Sequence, residues 1–591
     1  MITIPHLPTL RPRAQTRLTT DSFLGLDRRE RVPDGAWAET ENLSLRCRPA
    51  LAEREKRGLV AALRAPGGLA AKDALCWVEN GTLYVGGLPT PLTGLPDRPR
   101  QLVSMGATLV LWPDRLYYNT AEPADFGSLD ADWSYTGTVE AALCRADGSL
   151  YAAEPTVSDT EPEDPANLDL WLDSSGGGRR LCQYSAAAGL WTEIETPYVR
   201  LRFTTQGQLP ALFAALDGVA LSGAPGSLDG EQILRALGGA ADTERDWIVV
   251  TGTVDGSMTL ENRSVRLTRR APDMDFICEC GNRLWGCFYG SGGGQSLNEI
   301  YGCALGDFKN WRQFLGLATD SWAASVGSDG PWTGAVGYLG SPLFFKADRL
   351  HRLTISPTGA HRLSETPCRG VQKGSHKSLA VVGETLFYRS DAGVCAWQGG
   401  FPEPVGAALG ADRADSAVGG ALGACYYLSQ RRADGTHELL VCDSESGLWL
   451  REDDLDVADF AASGGELYAL TTDGRVLAMT GRAGAPESAV RWYAVTAPQH
   501  YLTPDRKYPG RLDLRFRLGP GAAVRALLSY DGETAFHEAG ALTAPAQAGG
   551  GAVLRLPVRP RRCDSYRLRL EGTGEARLLA ITQVLEKGSD L

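Results

Sequence analysis

The side chains in this sequence best suited to catalysis are adjacent carboxylates, and the run Glu452-Asp453-Asp454 supplies three of them. Two carboxylic acids flanking a glycosidic bond can divide the work, one protonating the leaving oxygen while the other acts as nucleophile or base. Acidic runs more commonly decorate solvated loops, and this one is read as such a loop. Other chemistries find less to work with. The seven histidines stand alone, with no H-x-x-x-H or H-E-x-x-H spacing to set two imidazoles around a metal. No G-x-S-x-G precedes a predicted helix, so no nucleophile elbow is expected. The thirteen cysteines include no C-x-x-C, and the nearest pair is Cys278-x-Cys280. Beside aromatics, as in Cys76-Trp77 and Cys425-Tyr426, they read as small buried hydrophobes of a chain folded in a reducing cytoplasm. Gly290-Ser-Gly-Gly-Gly294 falls between strands and reads as a flexible turn rather than a phosphate cradle. The residues therefore predict no catalytic, cofactor-binding or metal-binding side chains, no cofactor and no enzyme.

Two further constellations point to glycans. Ser328-Asp-Gly-Pro-Trp332, Asp443-Ser-Glu-Ser-Gly-Leu-Trp449 and Ser529-Tyr-Asp-Gly-Glu-Thr-Ala-Phe536 resemble the aspartate box of sialidases. In that box the aspartate caps a turn and the aromatic packs in the core, which is a structural task. Trp171, Tyr184 and Trp191 would form a sugar-stacking platform if they shared a face, although packing in the core of a small β domain is the simpler account.

The elements that would position these residues announce themselves by a recurring phrase: a glycine, one or two residues, a leucine and an aromatic. It reads Gly81-Thr-Leu-Tyr84, Gly148-Ser-Leu-Tyr151, Gly281-Asn-Arg-Leu-Trp285, Gly340-Ser-Pro-Leu-Phe344, Gly383-Glu-Thr-Leu-Phe387 and Gly465-Glu-Leu-Tyr468. Glycine permits the turn and the leucine-aromatic pair begins a strand, so each copy marks a hairpin. Hairpin repeats spaced by roughly 40–50 residues predict a β-propeller of six or seven blades.

The expected organisation is all-β. Residues 1–70, with Pro5, Pro8, Pro12 and a cluster of arginines, read as an extended basic arm ordered against its own propeller or a neighbouring subunit. Residues 71–139 are the first part of the propeller. Residues 140–272 break the rhythm and read as a small inserted β domain, with Glu161-Pro-Glu-Asp-Pro165 as a linker, a Gly176-Gly-Gly178 turn and a weak hint of helix from Gly230 to Leu237. The propeller resumes over 273–484. Residues 485–591 alternate leucine and arginine, as in Arg511-Leu-Asp-Leu-Arg-Phe516, which predicts an antiparallel β-sandwich with one wet face. No run of about 18 apolar residues predicts a membrane helix, and the N-terminus lacks the pattern of a secretory signal.

Charge is unevenly shared. The net charge is −12, yet residues 1–70 hold 12 basic against 8 acidic side chains and residues 485–591 hold 15 against 11. The middle of the chain therefore carries −20, which argues against tight nucleic-acid binding by that body.

Several phrases together resemble a family of tailed-phage structural proteins. They are Phe23-Leu-Gly-Leu-Asp27, Glu41-Asn-Leu-Ser44 and Arg54; Pro272-Asp-Met-Asp-Phe276, Asn282-Arg-Leu-Trp-Gly286, Asn298-Glu-Ile-Tyr301, Leu305-Gly-Asp307 and Asn310-Trp311; Thr319-Asp-Ser321, Gly327-Ser-Asp-Gly330, Phe344-Phe-Lys346 and Arg369-Gly-Val-Gln-Lys-Gly-Ser375; and Arg562-Cys-Asp564, Glu571-Gly-Thr-Gly574 and Gly588-Ser-Asp590. The likeness covers most of the chain and is most specific over 272–375. It implies a virion protein of the tail, made in the host cytoplasm and similar to the β-propeller nozzle proteins of short-tailed phages. Those proteins form a ring, implied here to be a homo-hexamer, below the portal and adaptor, and DNA passes through it without specific binding. No catalytic residue belongs to that role. The 140–272 insert matches no nozzle part, which leaves a hub or a receptor- or glycan-binding tail-tip protein, with or without glycosidase activity, as the alternative.

Overall fold

The computed structural model describes residues 15–175, 178–292, 294–356, 359–411, 413–499, 508–546 and 552–586. Pro5, Pro8 and Pro12, Gly176 and Gly177, Gly293 and the Gly588-Ser-Asp590 phrase lie outside them. Strands make up 55 % of the chain and helix 2 %, so the protein is all-β. Two compact units share it: one comprises Met1–Pro99, Phe345–His351 and Glu365–Leu591, the other Arg100–Phe344 and Arg352–Ser364.

The fold is a β-propeller. Seven antiparallel sheets of blade type occur among the described residues, over 66–89, 101–128, 276–325, 334–367, 380–404 and 414–453, with the seventh built from Val457–Ser463, Glu466–Thr471 and Arg475–Ala478. In the first unit the innermost strands of successive blades lie side by side: Ala380–Val382, Ala414–Leu422, Val457–Ser463 and Pro66–Ala71. In the second unit Gln101–Met105, Phe276–Glu279 and Gly334–Tyr338 do the same.

The repeated phrase has a clear geometric meaning. Gly281, Gly340, Gly383 and Gly465 sit at the turn between the first and second strands of their blades, all with φ between 60° and 75°. Only glycine enters that left-handed region without strain. The residues that follow, including Leu284-Trp285, Leu343-Phe344 and Leu386-Phe387, are buried in the second strand. Gly81 makes the same kind of turn one strand later. Gly148-Ser-Leu-Tyr151 is not a blade hairpin. It follows a long strand of the insert, with Leu150 bridging back to Cys144. A glycine turn before a short apolar stretch reads the same locally whichever sheet receives it.

From residue 15 onward the basic arm is ordered as strand, against its own propeller only at Gly58–Ala62 and otherwise against the C-terminal sandwich. Gln15–Thr20 pairs with Ala576–Glu586, Glu39–Glu41 pairs with Arg491–Val495, and Leu51–Glu53 also joins Ala576–Glu586. Gly58–Ala62 then becomes the fourth strand of the seventh blade, paired with Arg475–Ala478 on one side and Ala485–Pro486 on the other. The N-terminal segment is thus structural β, divided between the C-terminal sandwich and the last blade. Phe23 and Leu26 are both buried, and between them Gly25 (φ +76°) brings its backbone so close to the Trp449 carbonyl that a Cβ would sit 2.5 Å from the oxygen. Leu26 N–H donates to that carbonyl at 2.6 Å.

The sandwich has a six-stranded and a five-stranded sheet. Its core is what the alternation predicts: Leu512, Leu514, Phe516, Val524, Leu528, Leu568 and Leu570 are buried, joined by Trp37 from the N-terminal segment. Several of the arginines between them point outward into ion pairs. Arg511 and Arg555 flank Asp513 at 3.1 and 2.5 Å, and Arg525 and Arg569 flank Glu571 at 2.6 Å each.

The insert, in the second unit, opens at Ala131 rather than at 140 and closes at Arg269. A seven-stranded sheet holds its two ends, Ala131–Cys144 and Met258–Arg269, side by side, and a four-stranded sheet spans 156–193. Glu161-Pro-Glu-Asp-Pro165 is a connection within that smaller sheet, not a linker between domains. The hinted helix is strand: Gly230–Ile233 and Ala236–Ala240. The α-helix among the described residues is the single turn Leu209–Leu212.

Candidate functional site

Glu452 and Asp453 end the outer strand Leu448–Asp453 of a blade. They do not sit on a solvated loop, and only Asp454 is exposed. Glu452 is 6 % exposed and Arg57 is 5 % exposed. Arg57 Nη2 donates to Glu452 Oε2 at 2.7 Å and Arg57 Nη1 to Asp453 Oδ2 at 2.6 Å. Arg54, equally buried, pairs with Glu487, whose Oε1 also accepts the Arg57 N–H at 2.8 Å. Asn42 closes the group: its Oδ1 accepts from Arg54 Nε at 2.6 Å, and its N–H donates to the Glu452 carbonyl at 2.5 Å. Burial pushes Glu452 above the ordinary carboxylate range despite the pull of Arg57 and Arg54. Asp453 is also raised by burial, but the Arg57 and Arg54 charges outweigh this and hold it below that range. A raised and a lowered carboxylate would suit acid-base chemistry. Here, however, the guanidinium groups occupy the oxygens that would have to meet a substrate. The arrangement is an ion-paired joint where the N-terminal segment passes from sandwich to blade.

The three aspartate turns behave as the structural reading of the box expects in two cases. Asp329 Oδ1 accepts the Gly330 N–H at 2.8 Å and the Tyr289 hydroxyl at 2.6 Å, and Trp332 is buried. Asp443 Oδ2 accepts the Ser446 hydroxyl at 2.5 Å while Trp449 is fully buried. In the third, Asp531 Oδ1 accepts the N–H groups of Asp564 and Ser565 at 2.7 and 3.0 Å. Phe536 is not in the core there; it lies beneath the guanidinium groups of Arg567 and Arg569 at 5.4 and 5.9 Å.

Trp171, Tyr184 and Trp191 do share one face. In the four-stranded sheet Trp171 is opposite Cys182, and Tyr184 is opposite Trp191. Period-two alternation therefore sends all three rings to the same side. Leu170, Leu172 and Leu181 fill the other side and belong to the insert's core. The rings are half-buried and touch one another, Trp171–Trp191 at 5.7 Å and Tyr184–Trp191 at 5.4 Å. They form an outward aromatic face rather than the core packing that was the simpler expectation. This is the strongest candidate binding surface in the insert.

No group of three or more potential metal ligands occurs among the described residues. All thirteen cysteines are free, and burial pushes several thiols upward, Cys303 to about 12. Burial pushes His351 and His376 down to about 4. His351 is 1 % exposed, with Nε2 3.3 Å from Glu365. The unfolded chain protonates such histidines near 6.5 whereas the folded protein keeps them neutral, so the unfolded state binds more protons between the two values. Stability is therefore whole above about pH 6.5 and falls as pH drops toward 4, by about 2 kcal/mol at pH 5 for His351 alone. Thermal unfolding of the parent and of His351→Gln between pH 7.5 and 5 checks this. The variant flattens the slope, and an identical slope in both contradicts the assignment.

No family model matches the chain, and no curated protein matches it. Similar solved structures include an exo-β-1,3-galactanase from Phanerochaete chrysosporium, at 12 % identity over 52 % of this chain and 94 % of that one, with a TM-score of 0.21. A glycoside hydrolase family 43 arabinoxylan arabinofuranohydrolase from Bacillus subtilis is 10 % identical over 53 % of this chain and 95 % of that one, with a TM-score of 0.15. A Bacillus thuringiensis Cry1Da tryptic core variant is 9 % identical over 44 % and 51 %, with a TM-score of 0.16. Identities and TM-scores of this size carry no function across.

Sequence reasoning did not find the joint at Arg54 and Arg57, because the acidic partners Glu452, Asp453 and Glu487 lie about 400 residues away. The short apolar runs Leu51-Ala52 and Leu59-Val-Ala-Ala62 were the available signal that this segment is strand.

Proposed function

We propose that the chain is a structural subunit of a bacteriophage tail, of the nozzle type that closes and extends the DNA channel as a homo-oligomeric ring. The observation that carries this reading is where the phage-like phrases fall. Asn42 and Arg54, from the opening phrases, bond to each other in the buried joint. Asn310, from the most specific stretch, ties its loop to the insert, donating to the Leu216 carbonyl at 2.8 Å and accepting the Gly218 N–H at 3.2 Å. These three residues of the resembling phrases fasten elements together, which suits a structural subunit. The −20 body fits the same role if its acidic face lines the channel, because a wall that repels phosphate does not retard passing DNA. Portal, adaptor and other tail proteins are the partners this reading names, and no residue is assigned a catalytic role.

The aromatic face of Trp171, Tyr184 and Trp191 favours a second reading, a tail-tip protein that contacts a surface glycan. One experiment separates the two. Negative-stain images of the purified protein show rings with a central hole, and particles lacking the protein lose their packaged DNA. Particles that keep their DNA but no longer adsorb would overturn the nozzle in favour of the tail tip.

A further inference from the structure

The outward face of the six-stranded sheet of the sandwich carries arginines in an arrangement that its own packing does not call for. Along Tyr508–Leu518, the side chains of Leu514, Phe516 and Leu518 are buried in the core, so Arg515 and Arg517 stand on the opposite face, where both are exposed. Register sets Arg555 directly opposite Arg515 on one neighbouring strand, Ala552–Val558, and Arg577 directly opposite Arg517 on the other, Ala576–Glu586. Like charges in that position repel and weaken a sheet. Acidic neighbours relieve only the two ends: Asp513 holds Arg555 at 2.5 Å as well as Arg511, and Glu575 lies 3.7 Å from Arg577. Among the described residues no ion pair engages Arg515 or Arg517. Neighbouring strands lie about 4.8 Å apart and alternate residues of one strand about 6.8 Å apart. Arg555, Arg515, Arg517 and Arg577 therefore form one stepped line of four guanidinium groups across three strands.

The chemistry of that line selects its partner. Guanidinium groups fork onto phosphate oxygens with paired, charge-assisted hydrogen bonds. Four of them in a row match a polymer that carries an anion on every repeat, and a single small anion would leave most of the row unanswered. The residues that share the face beside the line, Val553, Pro557 and Ala580, bring no aromatic ring. The face therefore offers neither a stacking platform for unpaired bases nor an aromatic anchor for a membrane interface. Residues 485–591, with 15 basic against 11 acidic side chains, carry the positive balance that such a contact needs. We infer that this face of the sandwich binds the phosphate backbone of a nucleic-acid duplex, with Arg515 and Arg517 as the principal contacts and without reading base sequence. The inference goes beyond the ring reading, which assigns no residue to DNA.

The test uses the full chain and a fluorescently labelled DNA duplex of about 24 base pairs. Anisotropy measured between about 50 and 200 mM NaCl gives a slope of log Kobs against log salt of about −3.6, the value for four phosphate contacts on B-DNA. Arg515→Gln combined with Arg517→Gln brings the slope to about −1.8 and weakens binding by about 10-fold or more at the lowest salt. The same double variant melts at or above the temperature of the parent, because it removes two like-charge oppositions, so its loss of binding is not a loss of fold. Arg362→Gln, at an exposed arginine of the second unit, leaves slope and affinity unchanged. A parent that binds no duplex in the lowest salt at about 100 μM protein overturns the inference. A double variant that keeps the parent's slope overturns it too. Binding to anionic lipid vesicles or to polyglutamate that the double variant loses, with no duplex binding, overturns the nucleic acid and gives the face to a membrane or an acidic protein.

Discussion

Arg57→Ala destabilises the protein by about 3–5 kcal/mol, because it leaves two buried carboxylates facing each other with one guanidinium to share. Arg57 sits between Glu452 and Asp453 with 5 % exposure, and Arg54 is already engaged with Glu487 and Asn42. The loss exceeds the sum of two hydrogen bonds, since the cost is that of desolvated charge without a partner. Glu452→Gln is milder, because Asp453 still holds the arginine and the amide can accept from it. The check is a urea titration followed by a probe in the first unit, with tryptophan emission the natural choice given Trp449 and Trp492 nearby in the buried set. A loss below 1 kcal/mol for Arg57→Ala would show that water reaches the joint and screens it.

Removing residues 1–62 abolishes folding of the first unit. The truncation takes the fourth strand from the seventh blade and the strands Gln15–Thr20, Glu39–Glu41, Leu43–Ser44 and Leu51–Glu53 from the sandwich. It also takes Phe23 and Trp37 from the sandwich core. What remains presents Arg475–Ala478 as a bare strand edge next to an opened apolar core, the combination that seeds aggregation. Soluble yield and far-ultraviolet circular dichroism report the result. A soluble truncated chain with the parent's spectrum and melting temperature would mean that the N-terminal strands decorate the fold rather than complete it.

How much of this was legible beforehand follows from distance along the chain. The blade hairpins are readable because turn glycine, leucine and aromatic lie within five residues, as Gly281 in the turn and Leu284-Trp285 opening the next strand. The leucine-arginine alternation of Arg511 to Phe516 was readable for the same reason, since a sheet's two faces are written in adjacent residues. Gly148 to Tyr151 misled because the same local pattern serves a different sheet. The N-terminal strands look like an arm in the sequence because their partners lie more than 400 residues on, as with Glu39 opposite Val495 and Gln15 opposite Glu586. No local period records such a pairing. The candidate sites divide in the same way. Trp171, Tyr184 and Trp191 were visible as residues, but their common face depended on the register between strands. Glu452 and Asp453 were visible as charge, whereas their burial depended on Arg57.

The pairing of Gln15–Thr20 with Ala576–Glu586 also sets the order of events at the ribosome. At synthesis rates of roughly 5–20 residues per second, the first strand emerges about half a minute to two minutes before the strand that receives it. Blades whose strands are contiguous can close as they emerge. The seventh blade must hold open until Arg475–Ala478 is made, and the sandwich until Ala576–Glu586 follows. A product that stops before residue 576 therefore keeps an unsatisfied N-terminal segment in view of proteases and chaperones.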